Sequence, residues 1–416
     1  MTLIKTSLLN AIAVIIKLIT LLGLNKLLAI YVGPTGYVAL GQFQNAIQMI
    51  TTFASGALNT GVVKYTASYN GDELKQRAIW QTAGTVSVVG GVLTGAVVIF
   101  FSKSLAIWFL NDESLSVVFV WFSVMLVFFL LNTLLLAILN GKKEIKRYVV
   151  ANICGSALSL TITGLLVMYY GLYGALVGFA IYQSFAFFAT FFICYKTSWF
   201  DFSYLFGRID RESVVNLSKY TAMALTGAVC VPASLMYIRN NLAETLTLQD
   251  AGYWEAMWRL SSAYLMIITT ILSVYFLPRF SELNNMRLLK KEVVDGFKII
   301  IPFTALAALF IFLTREYSIN ILFTSDFAEM SVLFPWQVIG DIFKVASFIV
   351  GYVFLSKAKY KLFMFIEVYF AFQFCLLVHF LVPNYGLEGA SMAYMINYVI
   401  CFVFVSCVFF FKKEFL

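Results

Sequence analysis

Long apolar segments separated by short polar clusters follow one another along the whole chain. Each segment has about 20 residues or more, the length that an α-helix needs to cross the ~30 Å hydrocarbon core of a bilayer. We expect twelve spans, at residues 7–31, 36–65, 78–101, 114–139, 148–169, 173–195, 214–238, 250–277, 292–314, 328–355, 361–381 and 386–411. The pattern predicts an all-α integral membrane protein with about 12 transmembrane helices and short loops.

A sequence repeat divides these spans into two sets of six. Residues 169–187 and 384–402 match at seven of nineteen positions with a constant offset of 215. Because six is even, the two sets have the same orientation, as in transporters built from parallel repeats that surround a central cavity. We therefore predict two six-helix bundles, 1–200 and 213–416, joined by a cytoplasmic linker at 201–212.

Composition supports the membrane assignment and excludes other classes of protein. Apolar residues make up 61% of the chain and charged residues 12%, whereas soluble globular domains carry about 25% charge. Intrinsic disorder needs low hydrophobicity. The six cysteines all fall in apolar segments without CxxC spacing, which argues against a disulfide framework or a zinc site. No metal or other cofactor is expected.

The basic residues predict the orientation of the chain. If the N-terminus is cytoplasmic, 21 of the 29 basic residues lie in cytoplasmic loops or helix ends, and the outer loops hold only Lys103, Arg239 and Arg315. Such an asymmetry follows the positive-inside rule. Both termini are therefore expected in the cytoplasm. The net charge of +8 then needs no nucleic-acid partner.

Ionisable residues within the predicted spans are candidates for a functional site, because a charge at the bilayer centre costs several kcal/mol. Besides Lys298, which lies near a helix end and is expected to extend toward the interface, they are Lys17, Lys26, Arg259, Lys344, Glu255, Asp341 and Glu367. The spacings of Glu255 and Arg259, and of Asp341 and Lys344, place each pair on one helix face. Two explanations stay open for this pattern: two intrahelical ion pairs, or a polar cavity that these residues line.

A polar stripe on the second span adds four amide side chains. These are Gln42, Gln44, Asn45 and Gln48. They are expected either to line a cavity and contact sugar hydroxyls or to form hydrogen bonds between helices. The cavity candidates include four basic and three acidic groups, and this cationic surplus favours an anionic substrate such as a phosphate.

Several catalytic signatures are absent from the sequence. The chain contains no GxxxxGK[ST], GxSxG or HExxH motif, so neither a P-loop ATPase nor these hydrolase sites are expected. This pattern favours a secondary transporter over an enzyme.

Several stretches resemble one family of exporters. Among them are LNKLLAIYVGPTGY (24–37), AGYWEAMWRLSSAYL (251–265), WQVIGDIFKV (336–345) and NYGLEGASMAYM (384–395). The chain resembles the multidrug/oligosaccharidyl-lipid/polysaccharide exporter superfamily, and within it the flippases of O-antigen repeat units and of enterobacterial common antigen. The resemblance implies movement of an undecaprenyl-pyrophosphate-linked oligosaccharide from the cytoplasmic to the periplasmic leaflet of the bacterial inner membrane.

The resemblance also implies roles for residues and partners. The basic positions of the first span correspond to Lys17 and Lys26, and the family's Gly-Asp-x-x-Lys stretch corresponds to Gly340, Asp341 and Lys344. A monomer is expected, surrounded by membrane lipids and working with polysaccharide polymerase and chain-length machinery.

These observations lead to a hypothesis and two alternatives. The pyrophosphate is expected to contact Lys26, Arg259, Lys17 and Lys344. Either the membrane potential acting on its negative charge drives export, or H⁺ or Na⁺ is coupled through Asp341, Glu255 or Glu367. A cation-coupled multidrug-type antiporter of the same superfamily predicts an acidic cavity instead. A membrane enzyme acting on the same lipid-linked sugar predicts a large outer loop.

Overall fold

A computed structural model describes residues 3–283, 285–357 and 359–411, apart from the side chains of residues 3–11, 218–220, 223, 273, 274, 277 and 278. The described residues are almost entirely helical. In chain order the helices are α1 Leu3–Tyr31, α2 Gly33–Ala54, α3 Asn59–Ser68, α4 Glu73–Phe100, α5 Ser102–Leu110, α6 Ser116–Gly141, α7 Ile145–Tyr195, α8 Arg211–Thr245, α9 Leu248–Ile271, α10 Leu277–Glu282, α11 Met286–Leu313, α12 Arg315–Leu322, α13 Phe334–Ser356, α14 Tyr360–Tyr385 and α15 Leu387–Phe411.

All twelve predicted spans coincide with helices. Eight stretches of the described residues are long and apolar enough to cross a membrane. One of them, α7, bends at Gly171 and contains two predicted spans, so the eight stretches account for nine. The other three spans coincide with α2 and α3, with α8, and with α9. The chain is a multi-pass membrane protein, as the apolar pattern predicts.

The repeat is visible in backbone geometry. Gly171 has φ 54° and ψ −133°, and Gly386, 215 residues later, has φ 60° and ψ −143°. Only glycine adopts this conformation readily, and each residue joins two consecutive membrane helices. The short helices α5 and α12 also follow α4 and α11 at matching places in the two repeats. The two-repeat prediction is therefore reproduced in the helices themselves.

The chain packs as two compact units. The first contains residues 1–32 and 39–232, and the second contains residues 33–38 and 233–416. The division between them falls inside α8, after Pro232, and a short piece of α2 belongs to the second unit. The predicted bundle limits at 1–200 and 213–416 were drawn from the sequence repeat and stay a prediction.

The polar segment that was expected to be a linker contacts α4 in the first unit. Residues Phe202–Leu205 form a 3₁₀ turn that packs on α4, where a Cβ on Gly84 would lie 1.9 Å from the carbonyl oxygen of Leu205. Thr85 Oγ1 donates to the carbonyl of Gly207 at 3.1 Å. Within the described residues, this segment is part of the packed unit, because small and hydroxyl side chains on α4 allow its backbone to approach.

The second unit is organised around α13. This helix packs on α11 and α15, and α14 packs on α15. Buried apolar residues of α9, α11, α13 and α15 form one core. A π-helical turn at Leu272–Phe276 interrupts the helix that starts at α9, and such turns are frequent at functional sites.

Candidate functional site

Two guanidinium groups share one carboxylate inside the second unit. Arg239 on α8 donates from Nε to Glu255 Oε2 at 2.8 Å, and its terminal nitrogen lies 2.7 Å from the same oxygen. Arg259, one turn after Glu255 on α9, contacts Oε1 at 2.8 Å. The three residues are buried, with Arg239 only 2% exposed. The Glu255–Arg259 ion pair predicted from their spacing is confirmed.

This cluster carries a net positive charge. Two guanidinium groups contact one carboxylate, so these three side chains together carry a formal charge of +1. Aromatic rings stabilise both cations: Arg239 lies 5.9 Å from the ring of Trp254, and Arg259 lies 5.4 Å from that of Tyr37. A buried cation is expensive to leave uncompensated, and a partial negative charge from an aromatic face offsets part of that cost.

Asp341 on α13 forms a second buried cluster with hydroxyl groups from two other helices. Its carboxylate accepts hydrogen bonds from Ser261 Oγ at 2.8 Å, from the hydroxyl of Tyr264 and, at 2.6 Å, from the hydroxyl of Tyr394. Gln337 Nε2 in turn donates to Ser261 Oγ at 3.3 Å. Three hydroxyl donors thus satisfy the hydrogen-bonding capacity of this buried carboxyl group.

Lys344 lies one turn after Asp341 and is surrounded by aromatic rings. Its Nζ is 4.6 Å from the ring of Trp258, 5.3 Å from that of Tyr398, 5.5 Å from that of Tyr394 and 5.9 Å from that of Phe348. The spacing predicted that Asp341 and Lys344 share a helix face. They do so, but the hydrogen bonds to the carboxylate come from hydroxyls, and the ammonium group lies among rings.

Two tryptophans connect the clusters. The rings of Trp254 and Trp258 are 5.5 Å apart, and the ring of Trp258 is 5.8 Å from that of Tyr394. Trp254 contacts Arg239, and Trp258 contacts Lys344. One continuous arrangement in the second unit thus contains three basic groups and two carboxylates. Its basic groups can bind an anion, and its aromatic surfaces can contact a sugar ring.

Arg239 was expected in an outer loop, but it lies within α8. That prediction is wrong. The helix predicted to end at 238 continues to Thr245, and the segment Asn-Asn-Leu-Ala-Glu-Thr after Arg239 contains neither glycine nor proline to end it. Its charge partner, Glu255, is on the next helix, so no spacing within one helix could reveal the pair.

Glu367, the third predicted acidic residue, lies on α14. Its side chain is half-buried and close enough to Tyr398 and Cys401 for an electrostatic interaction. Tyr398 also borders Lys344. Glu367 therefore lies near the edge of the Lys344 cluster.

The other predicted site residues belong to the first unit. On α1, Lys17 is exposed and Lys26 half-buried. On α2, Gln42 and Asn45 are buried, Gln44 is half-buried and Gln48 is exposed. Asn45 Nδ2 donates to the carbonyl of Pro232 at 3.3 Å. For Asn45 the interhelical hydrogen bond that the sequence analysis held open is present.

The described residues contain no group of three or more histidine, cysteine, aspartate or glutamate side chains suited to a metal ion.

Comparison with known proteins gives the family. A protein-family model with the description 'Polysaccharide biosynthesis protein' matches residues 3–284 of this chain. The lipid III flippases of Escherichia coli (strain K12) and Shigella flexneri are each 30% identical over 413 residues, with 97% of both chains covered.

Solved structures share the fold at low sequence identity. An inward-facing multidrug resistance MATE family transporter of the MOP superfamily has a TM-score of 0.72 at 14% identity, covering 94% of each chain. The lipid II flippase MurJ in an inward closed conformation has a TM-score of 0.71 at 15% identity, covering 97% of this chain and 86% of its own. These similarities confirm the predicted all-α membrane fold with two repeats, and the relatives confirm the resemblance seen in the sequence. The chain belongs to the polysaccharide biosynthesis protein family.

Proposed function

We propose that this protein is a flippase that moves an undecaprenyl-pyrophosphate-linked oligosaccharide from the cytoplasmic to the periplasmic leaflet of the bacterial inner membrane. Relatives named lipid III flippases, similar over nearly the whole chain, support this activity. We further propose that it acts as a secondary transporter without chemical catalysis, as a monomer, and alongside polysaccharide polymerase and chain-length machinery.

The observation that carries the proposal is the group of three basic side chains that lies in the second unit. Arg239 and Arg259 contact Glu255, and Lys344 lies among aromatic rings one turn after Asp341. A diphosphate is a suitable ligand for these basic groups, because guanidinium groups bind phosphate oxygens in a bidentate manner. Trp258, beside Lys344, offers a ring for a sugar.

The proposed cycle is alternating access of the two repeats. In the second unit, Arg259 and Lys344 are the proposed ligands of the diphosphate. In the first unit, Lys26 and Lys17 are further candidate ligands of the diphosphate, and Gln42, Gln44, Asn45 and Gln48 are candidate partners of the sugar hydroxyls. The polyprenyl chain stays in the lipid, because its transfer to a polar cavity would expose apolar surface to water.

The proposal is tested by complementation in a bacterium that lacks its own repeat-unit flippase. The wild-type chain should restore surface polysaccharide on a gel. Arg259→Gln and Lys26→Ala should remove it, and Arg259→Lys should retain part of it. Lys103→Gln is the matched control, because Lys103 is exposed and pairs with Glu113. Restoration by Arg259→Gln equal to wild type would exclude a role in diphosphate binding.

The membrane potential provides a driving force for this direction of transport. Moving one charge through 100 mV is worth about 2.3 kcal/mol, so two negative charges moving outward across about 150 mV gain roughly 7 kcal/mol. Coupling to H⁺ or Na⁺ through Asp341, Glu255 or Glu367 is the alternative. In sealed proteoliposomes, dissipating the potential should slow flipping. An unchanged rate, together with dependence on a Na⁺ or pH gradient, would favour ion coupling.

A cation-coupled small-molecule antiporter is the second candidate, supported by the fold shared with a multidrug transporter. It requires an acidic site for cations, whereas the site in the second unit has more basic groups than carboxylates. If no donor glycan is exported despite good expression, and Glu255→Gln abolishes drug resistance conferred by the chain, this candidate replaces the flippase.

A further inference from the structure

A basic patch lies at one end of the first unit, where both limbs of the bent helix α7 end. Lys143 and Lys146 lie at the turn that leads into α7, and Lys196 follows its last residue. All three side chains are exposed. Lys142 and Arg147 add two further basic groups, and Glu144 is the one carboxylate in these segments. We name Lys143, Lys146 and Lys196 the basic patch.

Tryptophans hold this end of the unit in place. Trp199 Nε1 donates to Glu144 Oε1 at 3.2 Å, which ties the segment after α7 to the turn before it. Lys142 Nζ lies 5.3 Å from the ring of Trp199 and 5.7 Å from that of Trp80. Arg147 Nη1 forms an ion pair with the other carboxylate oxygen of Glu144, Oε2, at 2.7 Å. The one carboxylate of these segments is therefore already occupied, and it does not neutralise the basic patch.

The basic patch differs from three other exposed lysines, which pair with carboxylates. Lys75, Lys103 and Lys298 each have a carboxylate oxygen within 3.5 Å, from Asp72, Glu113 and Asp295. Within the described residues, Lys143, Lys146 and Lys196 form no ion pair. These three lysines, which flank the two ends of α7, therefore have no carboxylate ion-pair partner among the described residues.

An exposed apolar stripe runs from the patch along the second limb of α7. Phe185, Phe188, Phe192 and Tyr195 are 43%, 56%, 58% and 66% exposed. Their spacing of three, four and three residues places them on one helix face. Lys196 continues this face, with its Nζ 4.3 Å from the ring of Phe192. Charge and apolar surface are thus joined along the membrane-crossing direction.

We propose that the basic patch and this stripe form a binding site for an anionic phospholipid of the surrounding membrane. The phosphate contacts Lys143, Lys146 and Lys196, and an acyl chain lies along Phe192, Phe188 and Phe185. An acidic peptide would use the lysines but not the stripe, whereas a phospholipid matches both. Basic clusters at the membrane surface attract anionic lipids by about 1 kcal/mol for each lysine.

The test is native mass spectrometry of the purified full chain titrated with phosphatidylglycerol or phosphatidylcholine. The variant is K143Q/K146Q/K196Q. The control is K75Q/K103Q/K298Q, which removes the same charge from lysines that have carboxylate partners. Removing each lysine should weaken the affinity about fivefold. We therefore expect phosphatidylglycerol to bind about 100-fold more weakly to the triple variant. The control should change binding less than about fivefold, and phosphatidylcholine binding should not change.

Further arms separate a specific lipid site from misfolding, from a simple phosphate site and from a peptide site. K143R/K146R/K196R should restore binding within a few-fold, which excludes misfolding as the cause. Millimolar inorganic phosphate should not displace the lipid, since it lacks the chain that contacts the stripe. Equal losses in variant and control would overturn the proposal, as would displacement by phosphate or preferential binding of a polyglutamate peptide. Lipid binding is measured without any flipping substrate, so its failure leaves the proposed function untouched.

Discussion

At the residue scale, the ionic groups of the second unit are buried in combinations that single helices do not reveal. Glu255 and Arg259 pair across one helical turn, as their spacing predicts, but Arg239 completes the cluster from another helix. Asp341 likewise depends on Ser261, Tyr264 and Tyr394. A buried carboxylate is stable only when its charge and lone pairs are satisfied, and here the partners come from neighbouring helices.

Glu255→Gln should destabilise the protein more than Arg259→Gln. Without the carboxylate, Arg239 and Arg259 are two buried cations side by side, which costs about 3 kcal/mol or more. With Arg259 removed, Arg239 and Glu255 remain as a neutral pair. Thermal unfolding in detergent should therefore show a larger fall in the melting temperature for Glu255→Gln.

The double variant E255Q/R259Q tests whether the two cations repel each other. Removing one cation should recover part of the stability lost in Glu255→Gln, because the repulsion between the guanidinium groups is gone. Additive losses in the double variant would contradict the assignment of a shared carboxylate.

At the scale of elements, α4 and the segment after α7 pack through a glycine. A Cβ on Gly84 would lie 1.9 Å from the backbone oxygen of Leu205, so any larger residue forces the segment away. The sequence pattern marked residues 201–212 as a polar linker, since charges and turns dominate there. It did not show that the linker is packed, because this depends on the absence of a side chain on a distant helix.

Gly84→Ala should lower stability by about 2 kcal/mol, within the range of overpacking substitutions. Gly227→Ala on α8 is the matched control, because a Cβ there has no atom within 4 Å and alanine favours a helix by about 0.5–1 kcal/mol. Proteolysis near 201–212 should accelerate only in Gly84→Ala. Equal protease resistance in both variants would contradict the close contact.

The stability of the first turn of α8 should depend on pH, because a titratable carboxylate accepts a hydrogen bond there. Ser213 N–H donates to Asp210 Oδ2 at 2.7 Å, and hydrogen bonds from Ser213 hold the pKa of this carboxyl below its usual value of about 3.9. The Asp210 carboxylate thus caps the first turn of α8. The stability that this cap contributes is fully present above the usual carboxyl pKa of about 3.9 and is lost as pH falls through the lower pKa of Asp210 in the folded protein.

Hydrogen exchange at the first turn of α8, corrected for intrinsic rates, should stay constant from pH 7 to 5 and accelerate below about pH 4. In Asp210→Asn, which still accepts a hydrogen bond but does not titrate, this acceleration should disappear. If the variant keeps it, another group controls the end of the helix.

At the scale of the whole molecule, the charge asymmetry predicts the orientation in the membrane. The termini lie outside the described residues, so the prediction is best tested at internal positions. The turn with Lys143 is expected in the cytoplasm, and Ser114, between α5 and α6, is expected outside.

Single cysteines at these two positions, in a variant without the six native cysteines, should report the orientation. A membrane-impermeant maleimide applied to intact spheroplasts should label Ser114→Cys but not Lys143→Cys. Both should be labelled after lysis. The reverse pattern would overturn the orientation and with it the proposed direction of transport.

The sequence by itself determined the class of protein, the helices and the repeat. Twelve apolar segments, the glycines at 171 and 386, and the Glu255–Arg259 spacing are local signals, since each depends on residues close together in the chain. The tertiary structure alone decided that Arg239 is buried, that Lys344 lies among Trp258 and its neighbours, and that Leu205, within the segment 201–212, is buried against α4. Those features are contacts between helices far apart in sequence, and the apolar pattern, which is nearly uniform around these helices, does not record which faces meet.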